Sequence, residues 1–265
     1  MTTLQDVFAK AKAENRAALI GYLPAGFPTK EGAVKAAAAM VEAGCDVIEI
    51  GLPYSDPLMD GPTIQDAVHV ALSQGTRIAD VMHTVEGVAA TGAATLVMTY
   101  WNPIDRYGAD RFARDLASAG GTGTITPDLT PEEAEPWRVA SAEAGIDTVF
   151  LVAPSSTPDR IKAVVDCCTG FVYAASLMGI TGARDSVNAA AEGLVARTRA
   201  HTDLPVCVGL GIGTGRQAAE VASYADGVIV GSAFIRLLLD APDEASGLAA
   251  VRKLAEELAE GVRQR

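Results

Sequence analysis

The chain has 265 residues, 49% of them hydrophobic, which is enough for one large domain with a sizeable core. Its 21 Lys and Arg stand against 33 Asp and Glu, and the resulting net charge of −12 disfavours binding to nucleic acid or to an anionic membrane surface. An anionic substrate would therefore have to be held locally, by backbone amides rather than by a basic field.

In chain order, the first element is an amphipathic segment at residues 3–14, which we expect to cap one end of the fold. Short β-branched or apolar runs then alternate with Ala-rich, charged segments. The runs predict strands at residues 18–23, 47–51, 96–100, 123–126, 148–152, 171–175, 205–209 and 227–230. The segments between them predict helices, for example at residues 30–43, 78–90, 131–144, 158–167, 186–200 and 216–223.

This alternation favours a parallel sheet with helices outside it. The number of units favours closure into a (β/α)8 barrel, with an extra N-terminal helix, over an open doubly wound sheet. No linker rich in Pro, Gly or Ser divides the sequence, so we expect a single domain over residues 1–265. In such barrels the chemistry lies where strands end and the following loops begin, which confines the search for a site.

The second predicted strand carries an acidic residue, Glu49. Side chains alternate along a strand, so Ile48 and Ile50 share the helix-packed face and Glu49 points into the barrel mouth. Burial would raise the pKa of Glu49 and make it useful as both proton donor and acceptor near neutrality. The alternative is a structural carboxylate neutralised by an arginine or capped by hydroxyls.

A loop with two further carboxylates, Asp56 and Asp60, follows this strand. Together with Glu49 they offer a candidate acid–base pair. Either aspartate could instead be a plain turn former, because Asp-Pro and Asp-Gly favour turns.

Glycines follow the last three strands, in the segments 180–182, 209–215 and 230–232. The second segment opens a helix at Thr214 and the third opens one at Ser232, where free amides and the helix dipole favour an anion. Loops at this place in a barrel form a recurrent phosphate site, so we expect one after the sixth to eighth strands. The spacing fits neither a dinucleotide fingerprint nor a P-loop. Glycines that serve only as tight turns are the competing explanation.

Residue types that the chain lacks at strand ends narrow the chemistry. Every lysine falls in or just before a predicted helix, so a Schiff base is not expected. The four cysteines and three histidines lack metal or redox spacing. We expect no metal, no signal peptide, no membrane span and a cytoplasmic location. Many barrel enzymes cleave carbon–carbon bonds through a Schiff-base lysine or a metal ion. Without either, such a cleavage would need a substrate whose own electrons stabilise the leaving group, as indole protonated at C3 does.

Residues 48–65, Ile-Glu-Ile-Gly-Leu-Pro-Tyr-Ser-Asp-Pro-Leu-Met-Asp-Gly-Pro-Thr-Ile-Gln, resemble the signature of the tryptophan synthase alpha subunit family. The resemblance extends over nearly the whole chain and includes the segments 21–28, 98–103, 127–129, 179–182 and 208–212. It implies aldol cleavage of indole-3-glycerol phosphate to indole and glyceraldehyde 3-phosphate. The acidic segment is highly specific to the family, whereas the glycine segments alone are not.

The resemblance also implies roles for individual residues. Glu49 matches the residue that shuttles protons at indole C3 and the scissile hydroxyl, and Asp60 matches the one that stabilises positive charge at the indole nitrogen. Substrate-binding positions are implied for Tyr173, for Thr181 on a closing loop, and for Gly182, Gly211, Gly231 and Ser232 around the phosphate. The indole slot would be walled by Tyr22, Tyr100, Ile125, Leu151 and Leu210.

The family further implies a beta subunit that carries pyridoxal phosphate, receives indole and forms an alpha2-beta2 heterotetramer. Asp56 and Pro57 would lie at the contact, and this chain would need no cofactor of its own. One departure is the apolar pair Leu177-Met178, where bacterial relatives often have arginine at the start of the closing loop; closure could differ. Two alternatives stay open: a stand-alone indole-releasing lyase, and a barrel that only binds or activates a beta subunit.

Overall fold

The computed structural model describes residues 2–175, 184–209 and 211–264. Within these ranges all strand pairs are parallel and belong to one sheet. The strands are β1 (Ala18–Pro24), β2 (Val47–Gly51), β3 (Ala94–Met98), β4 (Gly123–Ile125), β5 (Asp147–Val149), β6 (Leu151–Val152), β7 (Val172–Ala175), β8 (Val206–Gly209) and β9 (Gly227–Val230).

The sheet closes into a barrel because its two end strands, β5 and β6, are consecutive pieces of one interrupted strand. β5 pairs with β4, and β6 pairs with β7. Phe150 separates the two pieces, and its amide donates to Sγ of Cys168 at 3.4 Å. Counted as one, β5 and β6 form the fifth of eight strands, which makes β7, β8 and β9 the sixth, seventh and eighth. The predicted (β/α)8 barrel is confirmed.

Helices connect successive strands and surround the barrel. They are α1 (Leu4–Ala13), α2 (Lys30–Glu42), α3 (Pro62–Ser73), α4 (Ile78–Ala89), α5 (Trp101–Tyr107), α6 (Ala109–Ser118), α7 (Glu135–Ala144), α8 (Pro158–Val165), α9 (Arg184–Arg199), α10 (Gly215–Ala222), α11 (Ser232–Leu239) and α12 (Glu244–Gly261). None of those in the described ranges is long and apolar enough to span a bilayer.

The third strand differs from its prediction, because it begins and ends two residues earlier, at Ala94–Met98. Tyr100 is not in the strand but is the N-cap of α5. The amide of Trp101 donates to the Asp128 carboxylate at 2.9 Å, which anchors this helix start to the loop after β4. The predicted strand end is thus replaced by a helix start, and this change sets where the Tyr100 side chain points.

The alternation of side chains along β2 follows the prediction. Val47 belongs to the cluster inside the barrel, whereas Ile48 and Ile50 belong to the cluster between strands and helices. Glu49 shares the inner face with Val47. The strand therefore carries a carboxyl group to the inside of the barrel.

The amino-terminal end of the barrel is closed by α1, as expected. Thr3 caps this helix in a reciprocal hydrogen-bonded arrangement with Asp6. The Phe8 ring packs against Phe171, with 5.8 Å between the ring centroids. At the same end the buried Arg16 donates to both carboxylate oxygens of Asp46, at 2.6 and 2.8 Å, and ties the start of β1 to β2. This end holds the fold together and leaves the carboxyl end for chemistry.

Candidate active site

A cavity of about 210 Å³ lies at the carboxyl ends of the strands. A larger one of about 880 Å³ lies beside α1 at the amino-terminal end, where conserved features of such barrels serve stability. The smaller cavity brings together the predicted residues Glu49 and Asp60 with Tyr22, Tyr173, Gly211, Gly231 and Ser232, whereas the predicted Tyr100 does not line it. It is lined by Tyr22, Glu49, Met59, Asp60, Ile64, Met98, Leu151, Tyr173, Ala175, Gly209, Gly211, Ile229, Gly231 and Ser232.

Glu49 is the most deeply buried acid of this cavity, with 1% of its surface exposed. Its Oε1 atom accepts no hydrogen bond from the described residues. Burial raises the pKa of Glu49 to about 8, and it is the only cause of the shift. This speaks against the alternative of a carboxylate neutralised by an arginine. Near neutrality Glu49 can hold a proton, release it and take one back.

Two tyrosines flank Glu49 at the barrel mouth. Tyr22 lies opposite Glu49 in the register of β1 and β2, and Tyr173 extends from β7. Burial raises the pKa of both hydroxyls, and the nearby Glu49 charge adds to the effect. Both groups therefore stay neutral and can act as hydrogen-bond donors beside the acid.

Strand-end glycines make room for these tyrosines. A Cβ on Gly51 would lie 2.3 Å from the Tyr22 hydroxyl oxygen, and one on Gly209 would lie 2.3 Å from the Tyr173 hydroxyl oxygen. Such distances are far inside van der Waals contact. Glycine at these two strand ends therefore serves the ring packing around Glu49.

Asp60 lies on the loop after β2 and is half-buried. Burial raises its pKa, and a hydrogen bond from Tyr100 opposes the shift. The Tyr100 hydroxyl donates to Oδ1 of Asp60 at 2.9 Å. The next helix, α3, has Gly61 as its N-cap and no side-chain cap. The Asp60 carboxylate therefore engages Tyr100 and does not cap that helix start.

Only some of the backbone amides that we expected to bind phosphate remain available to a ligand. Gly231 is the N-cap of α11 and has no side-chain cap hydrogen bond, and Ser232 is the first residue of that helix. Gly211 is exposed in a left-handed conformation, with φ of 64°. The first amides of α11 and the Gly211 turn thus face the cavity without a capping side chain.

The helix start at Thr214, in contrast, is already satisfied, so the expectation that it offers amides to an anion is wrong. Gly213 N–H donates to Oε1 of Gln217 at 2.9 Å. Gly215 N–H donates to Oε1 of Glu257 at 2.8 Å. Both backbone amides thus already donate to side chains of the chain itself, the Gln217 amide and the Glu257 carboxylate. Of the two predicted helix starts, only that of α11 stays available.

The loop proposed as a contact surface is exposed. Asp56 is exposed and accepts from the Ser55 hydroxyl at 2.6 Å, and Pro57 is partly exposed. Leu58 and Met59, with 75% and 51% of their surfaces exposed, are two of three large apolar residues exposed among the described residues. Adjacent exposed apolar side chains are typical of a docking surface.

Some sequence-predicted residues are not part of this description. Thr181, Gly182, Leu210 and the pair Leu177-Met178 lie outside the described residues. Ile125 is buried in the cluster inside the barrel and does not line the cavity.

Other lining residues, such as Ile64 and Met98, escaped sequence reasoning because apolar residues in a helix or strand give no functional signal. In the described part of the chain, no group of three or more His, Cys, Asp and Glu residues has the geometry to hold a metal ion.

Comparison with known proteins decides the family. A sequence profile described as "Tryptophan synthase alpha chain" matches residues 8–263. The tryptophan synthase alpha chain of Thermobifida fusca is 61% identical over 266 residues, which cover 99% of this chain and 98% of the relative. The chain belongs to the tryptophan synthase alpha chain family. It is therefore a lyase subunit of tryptophan biosynthesis, as the resemblance implied.

Solved structures of the tryptophan synthase alpha chain family share the fold. Mycobacterium tuberculosis tryptophan synthase superposes with a TM-score of 0.91 at 54% identity, covering 99% of each chain. Tryptophan synthase subunit alpha of Legionella pneumophila superposes with a TM-score of 0.89 at 32% identity, covering 99% of this chain and 98% of the other. The barrel is thus retained at about the same TM-score although the identity falls from 54% to 32%.

Proposed function

We propose that the chain cleaves indole-3-glycerol phosphate to indole and glyceraldehyde 3-phosphate, with Glu49 as the general acid–base and Asp60 as the charge-stabilising group. The observation that carries the proposal is Glu49, a carboxyl group buried without a counter-charge at the barrel mouth, with its pKa raised to about 8. A protonated acid at neutral pH is what a retro-aldol step on an indole requires, because C3 must be protonated before the carbon–carbon bond breaks.

A single carboxyl group, that of Glu49, donates one proton and accepts another during the reaction. Protonated Glu49 gives its proton to indole C3, and positive charge develops at the ring nitrogen beside Asp60. The Glu49 carboxylate then takes the proton of the adjacent side-chain hydroxyl. The bond between C3 and the side chain breaks, its electrons restore the indole ring, and the hydroxyl carbon becomes the aldehyde. Glu49 ends protonated and ready for the next turnover.

The surroundings fit such a substrate. Tyr22, Leu151 and Ile229 supply apolar walls for a flat ring. The α11 start at Gly231 and Ser232 offers amides to the phosphate, together with Gly211. Thr181, Gly182 and Leu210 would complete the site, as the family resemblance implies. Indole release measured on the purified chain, with and without a beta subunit, tests the proposal directly.

Anion binding at α11 gives a test that needs no turnover. Inorganic phosphate or glycerol phosphate should raise the melting temperature in a dose-dependent way, by about 2.7 kcal/mol of stabilisation at a hundredfold excess over Kd. Ser232→Asp should weaken the effect, because a carboxylate in the first turn of α11 repels an anion at that helix start. Ser246→Asp is the matched control, because it makes the same change in the first turn of α12, outside the cavity. Equal weakening by both variants would contradict the assignment to α11.

We further propose that the chain works in the cytoplasm with a beta subunit that carries pyridoxal phosphate and receives indole, in an alpha2-beta2 heterotetramer. The exposed loop with Asp56, Pro57 and Leu58 is the proposed contact. It runs directly into Asp60, so a partner that prefers one loop position can shift Asp60 without adding a catalytic group. Such an effect of the partner on Asp60 is expected for the heterotetramer and not for a stand-alone lyase.

The isolated chain should release indole slowly, and a beta subunit should accelerate release at least about tenfold, which corresponds to about 1.4 kcal/mol of coupling. Asp56→Lys should weaken the stimulation and leave the slow basal rate largely intact. Asp203→Lys is the control, because Asp203 is exposed in the loop before β8, at the opposite end of the barrel. Full activity of the isolated chain, unchanged by any beta subunit, would favour the stand-alone lyase.

A further inference from the structure

The Tyr100 hydroxyl contacts two neighbouring residues of the loop after β2, Met59 and Asp60. It donates to Oδ1 of Asp60 at 2.9 Å and accepts from the Met59 amide at 3.0 Å. A phenol has one proton to give, and here that proton points at the carboxylate. The Met59 amide engages an acceptor lone pair of the same oxygen. One hydroxyl group thus fixes both the backbone next to Asp60 and the Asp60 side chain.

The Tyr100 ring is itself held in place. It is buried, with 6% of its surface exposed, as the N-cap residue of α5. The Tyr54 ring packs on it with 5.6 Å between the centroids, and the Tyr54 hydroxyl accepts from the Asn102 side chain at 2.9 Å. Tyr54 belongs to the same loop as Asp60, so the independent support of the ring is the start of α5, which the hydrogen bond from the Trp101 amide to Asp128 anchors. The hydroxyl therefore marks a fixed position to which Asp60 is drawn.

We propose that Tyr100 is a positioning residue, which fixes the Asp60 carboxylate in the cavity for the reaction. The inference rests on the proposed function and adds to it, because an apolar wall for indole needs only the ring and has no use for the hydroxyl. The family resemblance implies the ring as part of the indole slot, and the hydroxyl has a separate role at Asp60. Only the hydroxyl is at issue in the test.

The sign of the pH effect follows from the contacts. A hydrogen bond donated to a carboxylate lowers its pKa, so its loss leaves burial unopposed and raises the pKa of Asp60. The other titratable groups that line the cavity among the described residues are Tyr22 from β1, Glu49 from β2 and Tyr173 from β7. At the acid side of the profile these three are neutral, so Asp60 is the group of this set that titrates there. The substrate phosphate, with a second pKa of about 6, titrates equally in every variant and cannot produce a difference between them.

Tyr100→Phe keeps the ring and removes the hydroxyl. We expect kcat for indole release to fall roughly ten- to hundredfold, the range for a hydrogen bond to a charged group, with KM changed by less than about threefold. The acid limb of the kcat profile should move to higher pH. Tyr107→Phe is the matched control, because the Tyr107 hydroxyl donates to Asp115 at 2.6 Å and belongs to α5 outside the cavity. It should leave kcat and the limb unchanged.

A double-mutant cycle separates positioning from general structural support. In the Asp60→Asn background, Tyr100→Phe should have little further effect on kcat, because both changes act through one group. Multiplicative losses would overturn the proposal, and so would an unchanged acid limb in Tyr100→Phe. Circular dichroism melting shows that each variant is folded.

A titration of the full chain gives a readout independent of turnover. The ¹³C carboxyl signal of Asp60, assigned by its loss in Asp60→Asn, should titrate at higher pH in Tyr100→Phe than in the unmodified chain. An unchanged Asp60 titration would overturn the inference about Tyr100. Absence of indole release from the unmodified chain, alone and with a beta subunit, would instead overturn the proposed function and leave the titration to decide on Tyr100.

Discussion

Glu49→Gln should abolish nearly all indole release while the substrate still binds. Glutamine has the shape of glutamate but no proton to exchange, and general acid–base catalysis contributes about 10² to 10⁴ in rate. Steady-state kinetics and substrate binding by calorimetry measure the two effects separately. Glu42→Gln is the control, because it changes the same residue type in an exposed ion pair with Arg252 and should leave the rate unchanged. More than about a tenth of the original activity would be incompatible with Glu49 as the acid–base.

Thermal melting at several pH values tests whether Glu49→Gln is folded and whether the Glu49 carboxyl group is buried in the unmodified chain. Burial raises the pKa of Glu49 from 4.5 to about 8, so the folded chain holds a proton that the unfolded chain has released between these values. The contribution of Glu49 to stability is therefore present below pH 4.5 and declines as the pH rises to about 8. Glu49→Gln lacks this decline, and its melting temperature should gain on that of the unmodified chain across the same window.

Asp60→Asn should also reduce turnover strongly, by about 10² if a full charge is lost next to the ring nitrogen. An amide can still accept from the Tyr100 hydroxyl, so the loop should keep its position and KM should change little. The loss would then fall on kcat, which single-turnover kinetics can assign to the bond-breaking step.

Asp115→Asn is the matched control for this variant, because Asp115 accepts a tyrosine hydroxyl at 2.6 Å outside the cavity. It removes the same charge from a second tyrosine–aspartate pair and should leave kcat unchanged. An Asp60→Asn variant with the turnover of the unmodified chain would reduce Asp60 to a loop residue.

Patterns of short range predicted most of the barrel. The β-branched runs and the parity of Ile48, Glu49 and Ile50 are local properties of the chain, and the structure confirms them. The break of the fifth strand at Phe150 could not be read in this way. It depends on Cys168, which is 18 residues away and supplies the acceptor for the Phe150 amide.

The site shows the same division. Glu49 was predictable because an acid in an apolar strand is unusual, and burial does raise its pKa. The Tyr100 hydroxyl was missed as a partner of Asp60, because the pair joins two loops 40 residues apart. The hydroxyl of a tyrosine expected to be buried could have indicated such a partner, since buried tyrosine hydroxyls usually find an acceptor. The satisfied helix start at Thr214 was likewise hidden, because its partner Glu257 lies in the last helix.

The bond from Gly215 to Glu257 bears on which ligands the barrel accepts. The chain places its own anion at the start of α10, so that position repels a further negative group. A sugar phosphate with one phosphoryl group would instead meet the first amides of α11 and the Gly211 turn. A bisphosphate would bring its second charge towards the Glu257 carboxylate and be disfavoured. We therefore expect Glu257, on the last helix of the chain, to disfavour ligands that bring a second phosphoryl group near the start of α10.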